Sequence, residues 1–210
     1  MLNLFLLIAI SYLMGSIPTS IIAGKLLKGL DIREHGSGNA GATNVFRVLG
    51  WKAGLVVLII DMLKGWIPTV YVSQLGVESG LGWDLINYQI IAGFSAMFGH
   101  IWTIFAKFKG GKGVGTGAGM LIGLAPFAVL ICIIVFIAVV AATRYVSLGS
   151  ILASITFMAV IFVQKFGLEQ PVPNELLIFS VFIPALIIFT HRSNIQRLLK
   201  GEESKISFKK

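Results

Sequence analysis

Seven apolar segments, roughly 2–24, 53–74, 86–106, 113–125, 126–142, 147–165 and 175–190, dominate the chain, and most run nearly free of charge. Stretches of about 20 such residues match the hydrocarbon core of a bilayer. Backbone polar groups inside lipid must be satisfied within their own segment, so the segments read as helices. Composition agrees: the chain is 56% hydrophobic and 12% charged, whereas soluble domains carry about 25% charged residues. The predicted fold class is all-α: a polytopic integral membrane protein with seven transmembrane helices. It forms a single transmembrane domain over residues 1–210 with a polar cytoplasmic tail at 201–210.

The fourth and fifth segments need separate treatment. As one helix, residues 113–142 would run about 45 Å, well beyond a hydrocarbon core of about 30 Å. Ala125-Pro126 offers a break, because a residue before proline is pushed out of the helical region. Splitting there places Lys25, Lys28, Arg33, Arg47, Lys52, Lys107, Lys109, Lys112, Arg144 and the basic residues after Arg192 on one side. Glu78, Asp84, Glu169 and Glu175 fall on the other with Lys165. The positive-inside rule then predicts the N-terminus outside and the C-terminus in the cytoplasm. Residues 113–125 alone give about 20 Å of helix, so that span is expected to begin inside the preceding loop or to be partly re-entrant. Gly115, Gly119 and Gly123 recur every fourth residue and predict a groove for close helix packing.

Residues 1–24 lack the basic start of a signal peptide, and their apolar run continues to Ala23, so they are expected to be a retained first helix. The net charge of +8 sits at the ends of the spans, which accounts for it as topology signalling and argues against nucleic-acid binding. Cys132, the single cysteine, lies in an apolar run and offers no disulfide or metal site within one chain. No metal-ligand cluster, no cofactor motif and no obligate protein partner are expected; the surroundings are membrane lipids.

Three polar stretches interrupt the spans, and in the seven-span arrangement all face the cytoplasm. The first is GSGNAGATNVFR, residues 36–47. Its small residues let backbone N–H groups approach an anion, Ser37, Asn39, Thr43 and Asn44 add donors, and Arg47 adds a rigid cationic fork. A plain flexible turn is the alternative.

The second stretch, KFKGGKGVGT, covers residues 107–116. It falls short of an ATP-binding phosphate loop, because Ala106 stands where the first glycine belongs and Gly113 where Ser or Thr would bind magnesium. What remains is Gly110, Gly111 and Gly113 with Lys109 and Lys112 leading into a helix N-terminus, a favourable place for phosphate. Lysines at a helix end also serve as membrane anchors, the preferred reading for Lys107.

The third, HRSNIQRLLKGE, covers residues 191–202. His191 and Asn194 share a helical face. His191 is open to three roles: base, phosphate ligand or interfacial residue. Arg192, Arg197 and Lys200 equally suit headgroup anchoring. Ser147, on a short turn after Arg144, is a further candidate. Asp61 and Lys64, three apart within the second span, are expected to form a structural ion pair, although a transport pathway would also show such charges. His35 and His100 have no acidic residue at useful spacing and read as structural.

Together the three stretches resemble the cytoplasmic motifs of the bacterial acyl-phosphate glycerol-3-phosphate acyltransferases, the PlsY family, in order, spacing and overall length. Ala40 and Gly115 depart from the family pattern only by exchanging one small residue for another. The resemblance implies seven helices with the N-terminus outside. It also implies transfer of a fatty acyl group from acyl phosphate to the sn-1 hydroxyl of glycerol 3-phosphate, in the bacterial inner membrane, giving lysophosphatidic acid and phosphate.

By the same resemblance Ser37, Gly38, Asn39, Gly41, Thr43 and Ser147 bind the phosphoryl group of acyl phosphate, while Arg47, Lys112, His191 and Asn194 bind glycerol 3-phosphate. Ser37, Arg47, Lys112, His191 and Asn194 are the catalytic set. Asn44, Lys109, Gly110, Gly111, Gly113 and Thr116 join the substrate-binding residues, and Glu202 is structural. The proton acceptor is left open between His191 and a substrate phosphate. A His-x4-Asp acyltransferase is excluded, because the residues five after His35, His100 and His191 are Ala40, Phe105 and Gln196. The rival from another class, a small transporter of an anionic solute, would show polar groups at mid-membrane in several spans.

Overall fold

The computed structural model describes residues 1–207; positions 208–210 of the polar tail lie outside the described residues. Among the described residues there is no strand. In chain order the helices are α1 (Leu2–Ser16), α2 (Thr19–Lys28), α3 (Ala42–Leu49), α4 (Trp51–Ile67), α5 (Gln74–Val77), α6 (Leu85–Ile101), α7 (Val114–Leu124), α8 (Pro126–Thr143), α9 (Val146–Phe162), α10 (Asn174–Thr190) and α11 (Arg192–Leu199). Wider π turns at Pro68–Val72 and Val163–Gly167 extend α4 and α9.

Five stretches are long and apolar enough to cross a membrane: Leu2–Lys28, Trp51–Val77, Leu85–Ala106, Pro126–Thr143 and Val146–Gly167. A sixth is reached if α10 and α11, bent by 63° at His191, count together. Helix α7 has 11 residues, about 16 Å, half a hydrocarbon core. The α7 to α8 break falls at Ala125-Pro126, where Ala125 takes the extended φ of −150° that a following proline favours. Large apolar side chains point outward along these helices, including Phe127, Leu130, Ile134 and Ile137 on α8. Water would not tolerate so much exposed apolar surface, and lipid does.

The chain forms two compact units, residues 1–124 and 125–210. In the first, small residues let helices touch backbone to backbone. A Cβ on Gly119 of α7 would overlap the Met62 carbonyl of α4, and one on Gly65 of α4 would overlap the Thr116 carbonyl of α7. Gly115 and Gly123 meet Asp61 and Thr69 of the same α4 face, so the four-residue glycine repeat is a packing stripe. In the second unit α9 packs against both α8 and α10. The chain after α11 returns to the α8–α9 turn, where Ile206 N donates to Arg144 O at 2.9 Å.

Proline also breaks the first long stretch. Pro18 has no N–H, so α1 ends at Ser16, and Ile17 N donates to Met14 O in a tighter turn. The carbonyls left over inside an apolar region take side-chain donors instead. Thr103 Oγ1 donates to Ser16 O and Lys64 Nζ donates to Ile17 O at 2.8 Å.

Candidate active site

In the first unit the loop between α2 and α3 is built around Asn44, which is 1% exposed. Its Nδ2 donates to Ile32 O and His35 O, each at 2.9 Å, and its Oδ1 accepts from Ser37 N at 2.8 Å. Those three bonds tie the amide into the loop itself, so that Asn44 holds the loop's shape. Gly36, at φ +62°, packs where any Cβ would overlap Asn44 Oδ1. The loop then presents Ser37 and Gly38 exposed and Asn39, Gly41, Thr43 and Arg47 half-buried. Thr43 and Arg47 are four apart on α3 and share its face.

Asp31 and Arg33 brace the approach to this loop with an ion pair of 2.7 Å, and Arg33 Nη1 donates to Ala106 O at 3.2 Å, tying it to the second glycine loop. The side-chain hydrogen bond from Arg33 holds the Asp31 carboxyl at about 2, far below its ordinary value.

In that second loop Lys109 is exposed, Lys112 and Gly110 are half-buried, and Gly111, Gly113 and Thr116 are buried. Gly110 N donates to Ile101 O and Gly111 N to His100 O, each at 3.0 Å. These two N–H groups therefore close the end of α6. Thr116, 0% exposed, lies inside the α4–α7 contact. Gly113, at φ +84° and against Met97, sets the turn from which α7 and Lys112 emerge.

Behind the loop lies a buried cluster. Lys64 Nζ stands 2.7 Å from Asp61 Oδ1, and Thr19 Oγ1 donates to the same oxygen at 2.5 Å. His100 Nδ1 is 3.4 Å from Lys64 Nζ and 3.7 Å from Asp61 Oδ1. Asp61 and Lys64 thus pair as their spacing predicts, whereas His100 does have an acidic neighbour, supplied by another helix.

In the second unit Ser147 opens α9 and Asn194 lies on α11, and both are buried. A single carboxylate gathers them. Glu203 Oε1 accepts from Ser147 Oγ and Asn194 Nδ2, and Oε2 accepts from Arg197 Nε, all at 2.7 Å. Burial alone would raise the Glu203 carboxyl, but the bonds from Ser147, Asn194 and Arg197 outweigh it and hold the group below its ordinary value. Glu202, expected to be structural, is exposed, and the role belongs to its neighbour. His191, 3% exposed, donates from Nδ1 to Ile187 O at 2.8 Å. Among the described residues no group of three or more His, Cys, Asp or Glu is arranged to hold a metal ion.

The family model for glycerol-3-phosphate acyltransferase matches residues 5–201. The chain belongs to the glycerol-3-phosphate acyltransferase family. It is 50% identical to the glycerol-3-phosphate acyltransferases of Chlorobaculum parvum and Chlorobaculum tepidum, over 99% of this chain and 98% of each relative. Its fold is similar to the crystal structure of PlsY (YgiH), an integral membrane glycerol 3-phosphate acyltransferase. For the glycerol 3-phosphate form the TM-score is 0.84 at 38% identity, over 97% of this chain and 96% of that one. For the lysophosphatidic acid form it is 0.82 at 37% identity, over 97% and 95%. This member of the family is an integral membrane protein.

The supporting residues Thr19 and Glu203 escape sequence reasoning, Arg33 enters it only as a topology charge, and His100 reads as structural without its acidic neighbour. Only the Glu202-Glu203 doublet, next to a stretch rich in donors, carried a local signal.

Proposed function

We propose that this chain transfers a fatty acyl group from acyl phosphate to the sn-1 hydroxyl of glycerol 3-phosphate, giving lysophosphatidic acid and phosphate. The observation that carries the reading is the full-length match to glycerol-3-phosphate acyltransferases, together with glycine-rich and basic loops set at the ends of apolar helices. The protein makes seven crossings of the bacterial inner membrane, with α7 as a short one, the N-terminus outside and the polar loops in the cytoplasm. That arrangement keeps nearly all basic residues on one side.

The chemistry demands few protein groups. Acyl phosphate is a mixed anhydride: the hydroxyl oxygen attacks the carbonyl carbon, the bond from that carbon to the phosphate oxygen breaks, and phosphate leaves with the electron pair. The hydroxyl proton passes to the phosphate, whose second pKa of about 6 suits it as acceptor. What the site supplies is orientation and positive potential. Ser37, Gly38, Asn39, Gly41 and Thr43 hold the phosphoryl group, and Arg47, Lys112, His191 and Asn194 hold glycerol 3-phosphate. Ser147 joins the first set only by turning its single hydroxyl proton away from Glu203.

The test is acyl transfer to radiolabelled glycerol 3-phosphate by detergent-purified protein, with acyl phosphate, acyl-CoA and acyl carrier protein offered separately. Product is expected from acyl phosphate alone. Arg47→Ala should lower kcat/KM by about 100-fold, as expected when a charged ligand of a reacting anion is removed. Turnover with acyl-CoA instead would overturn the donor assignment.

A further inference from the structure

Ionisable groups inside membrane-spanning helices are costly and call for a function. Asp61, Lys64 and His100 are at most 7% exposed, lie within apolar helices and bind no substrate in the reading above. Their geometry shows what they contact. Lys64 Nζ has three N–H bonds. They serve Asp61 Oδ1 at 2.7 Å, Ile17 O at 2.8 Å, which also accepts Thr19 N–H at 2.9 Å, and Thr19 Oγ1 and His100 Nδ1, both at 3.4 Å. His100 Nδ1 therefore faces the Asp61–Lys64 pair.

Nε2 is the edge that meets the second glycine loop. A Cβ on Gly111 would overlap His100 Nε2, and one on Gly110 would overlap the His100 carbonyl. That carbonyl also receives Gly111 N–H. The position of a Cβ on Gly111 lies only 2.9 Å from Ala40 O of the first glycine loop. One edge of the imidazole therefore abuts the second glycine loop at Gly111, which itself lies against Ala40 of the first loop, and the other edge faces a buried ion pair. Gly111 directly precedes Lys112.

We propose that Asp61, Lys64, Thr19 and His100 form a positioning device that holds the Gly110–Gly113 loop, and with it Lys112, in the geometry that receives a substrate phosphate. His100 is the contact through which it acts. The inference rests on the proposed acyl transfer for its kinetic part and on the loop alone for its structural part.

The experiment compares wild type, His100→Ala, His100→Gln and Thr19→Val in detergent. It measures amide hydrogen exchange of the peptide spanning 104–113, kcat and KM for glycerol 3-phosphate, and the melting temperature. His100→Ala should speed exchange of the loop amides and raise KM, each by about 10-fold, with a smaller fall in kcat. His100→Gln, whose amide restores a polar contact at the ring edge, should recover most of both effects. Thr19→Val, which keeps the shape and removes the bond to Asp61, should move both in the same direction by about 3-fold.

Loop exchange that stays at the wild-type rate in His100→Ala and Thr19→Val would overturn the proposal and leave the cluster as packing. A loss of activity that merely follows a fall in melting temperature, without rescue by Gln, would do the same. If His100→Ala does not fold, Thr19→Val decides by the same criterion. Wild-type protein inactive with every donor, but with the loop exchange shifted as stated, would sink the acyl-transfer reading and leave the positioning device standing.

Discussion

In residues 1–124 the buried charges lie inside helices of the apolar region, whereas in residues 125–210 the buried Glu203 carboxylate lies beyond the last apolar helix. The first network uses an ion pair, one hydroxyl and a backbone carbonyl beside the α1–α2 break. The second uses one carboxylate and three side-chain donors, each on a different turn of the chain. The first network lies within apolar helices and the second beyond them, so the same kind of bond carries different weight. A group stripped of its partner inside a span has no replacement. At the interface, solvent supplies one.

The largest effect should therefore come from unpairing the charges of the first network. Lys64→Met leaves Asp61 with the Thr19 hydroxyl and the neighbouring His100 ring and should cost about 3–5 kcal/mol of stability, the range for breaking a buried pair. The double variant Asp61→Leu/Lys64→Met removes both charges and should recover most of that loss. Melting temperatures of the purified variants decide it. A double variant as unstable as the single one would mean that shape, and not charge, dominates the cluster.

The same contrast explains what was legible in the sequence. Asp61 and Lys64 pair within one helix at i, i+3, a spacing that can be read directly. The glycine stripe of α7 and the break at Pro126 are likewise local signals, and both stand in the structure. His100 pairs across helices, and nothing near it in sequence announces Asp61. Asn44 looks like any exposed loop amide until the fold turns it inward. In the glycine loop the residue types were visible but not the direction of their N–H groups, because Gly110 and Gly111 bond to the end of α6.

The second network offers a gentler test. Glu203→Gln keeps the shape and one acceptor oxygen but removes the charge that draws Arg197, and its –NH2 end donates where Arg197 Nε–H needs an acceptor. A stability loss of about 1–3 kcal/mol is expected, together with lower activity, since Ser147 and Asn194 lose their common anchor. Glu202→Gln, at an exposed position, should change neither. Equal effects at 202 and 203 would erase the distinction between them and restore the original assignment.

Acidification should produce the smallest and most graded effect. A carboxyl whose pKa is depressed in the folded state contributes stability above its unfolded value and loses that contribution as pH falls through the folded value. Glu203 is held below its ordinary range, so its advantage over Glu203→Gln should stay constant near neutrality and shrink only below about pH 4. Asp31, at about 2, should persist further into acid, yet its pair with Arg33 is partly exposed. Exposed pairs contribute little to stability because solvent screens them. Melting temperatures of wild type, Glu203→Gln and Asp31→Asn between pH 7 and about pH 3 should therefore separate the first two curves at neutral pH and merge them in acid. Asp31→Asn should stay close to wild type throughout. A larger acid dependence from Asp31 than from Glu203 would show that the exposed brace, and not the buried clasp, is the stronger contact.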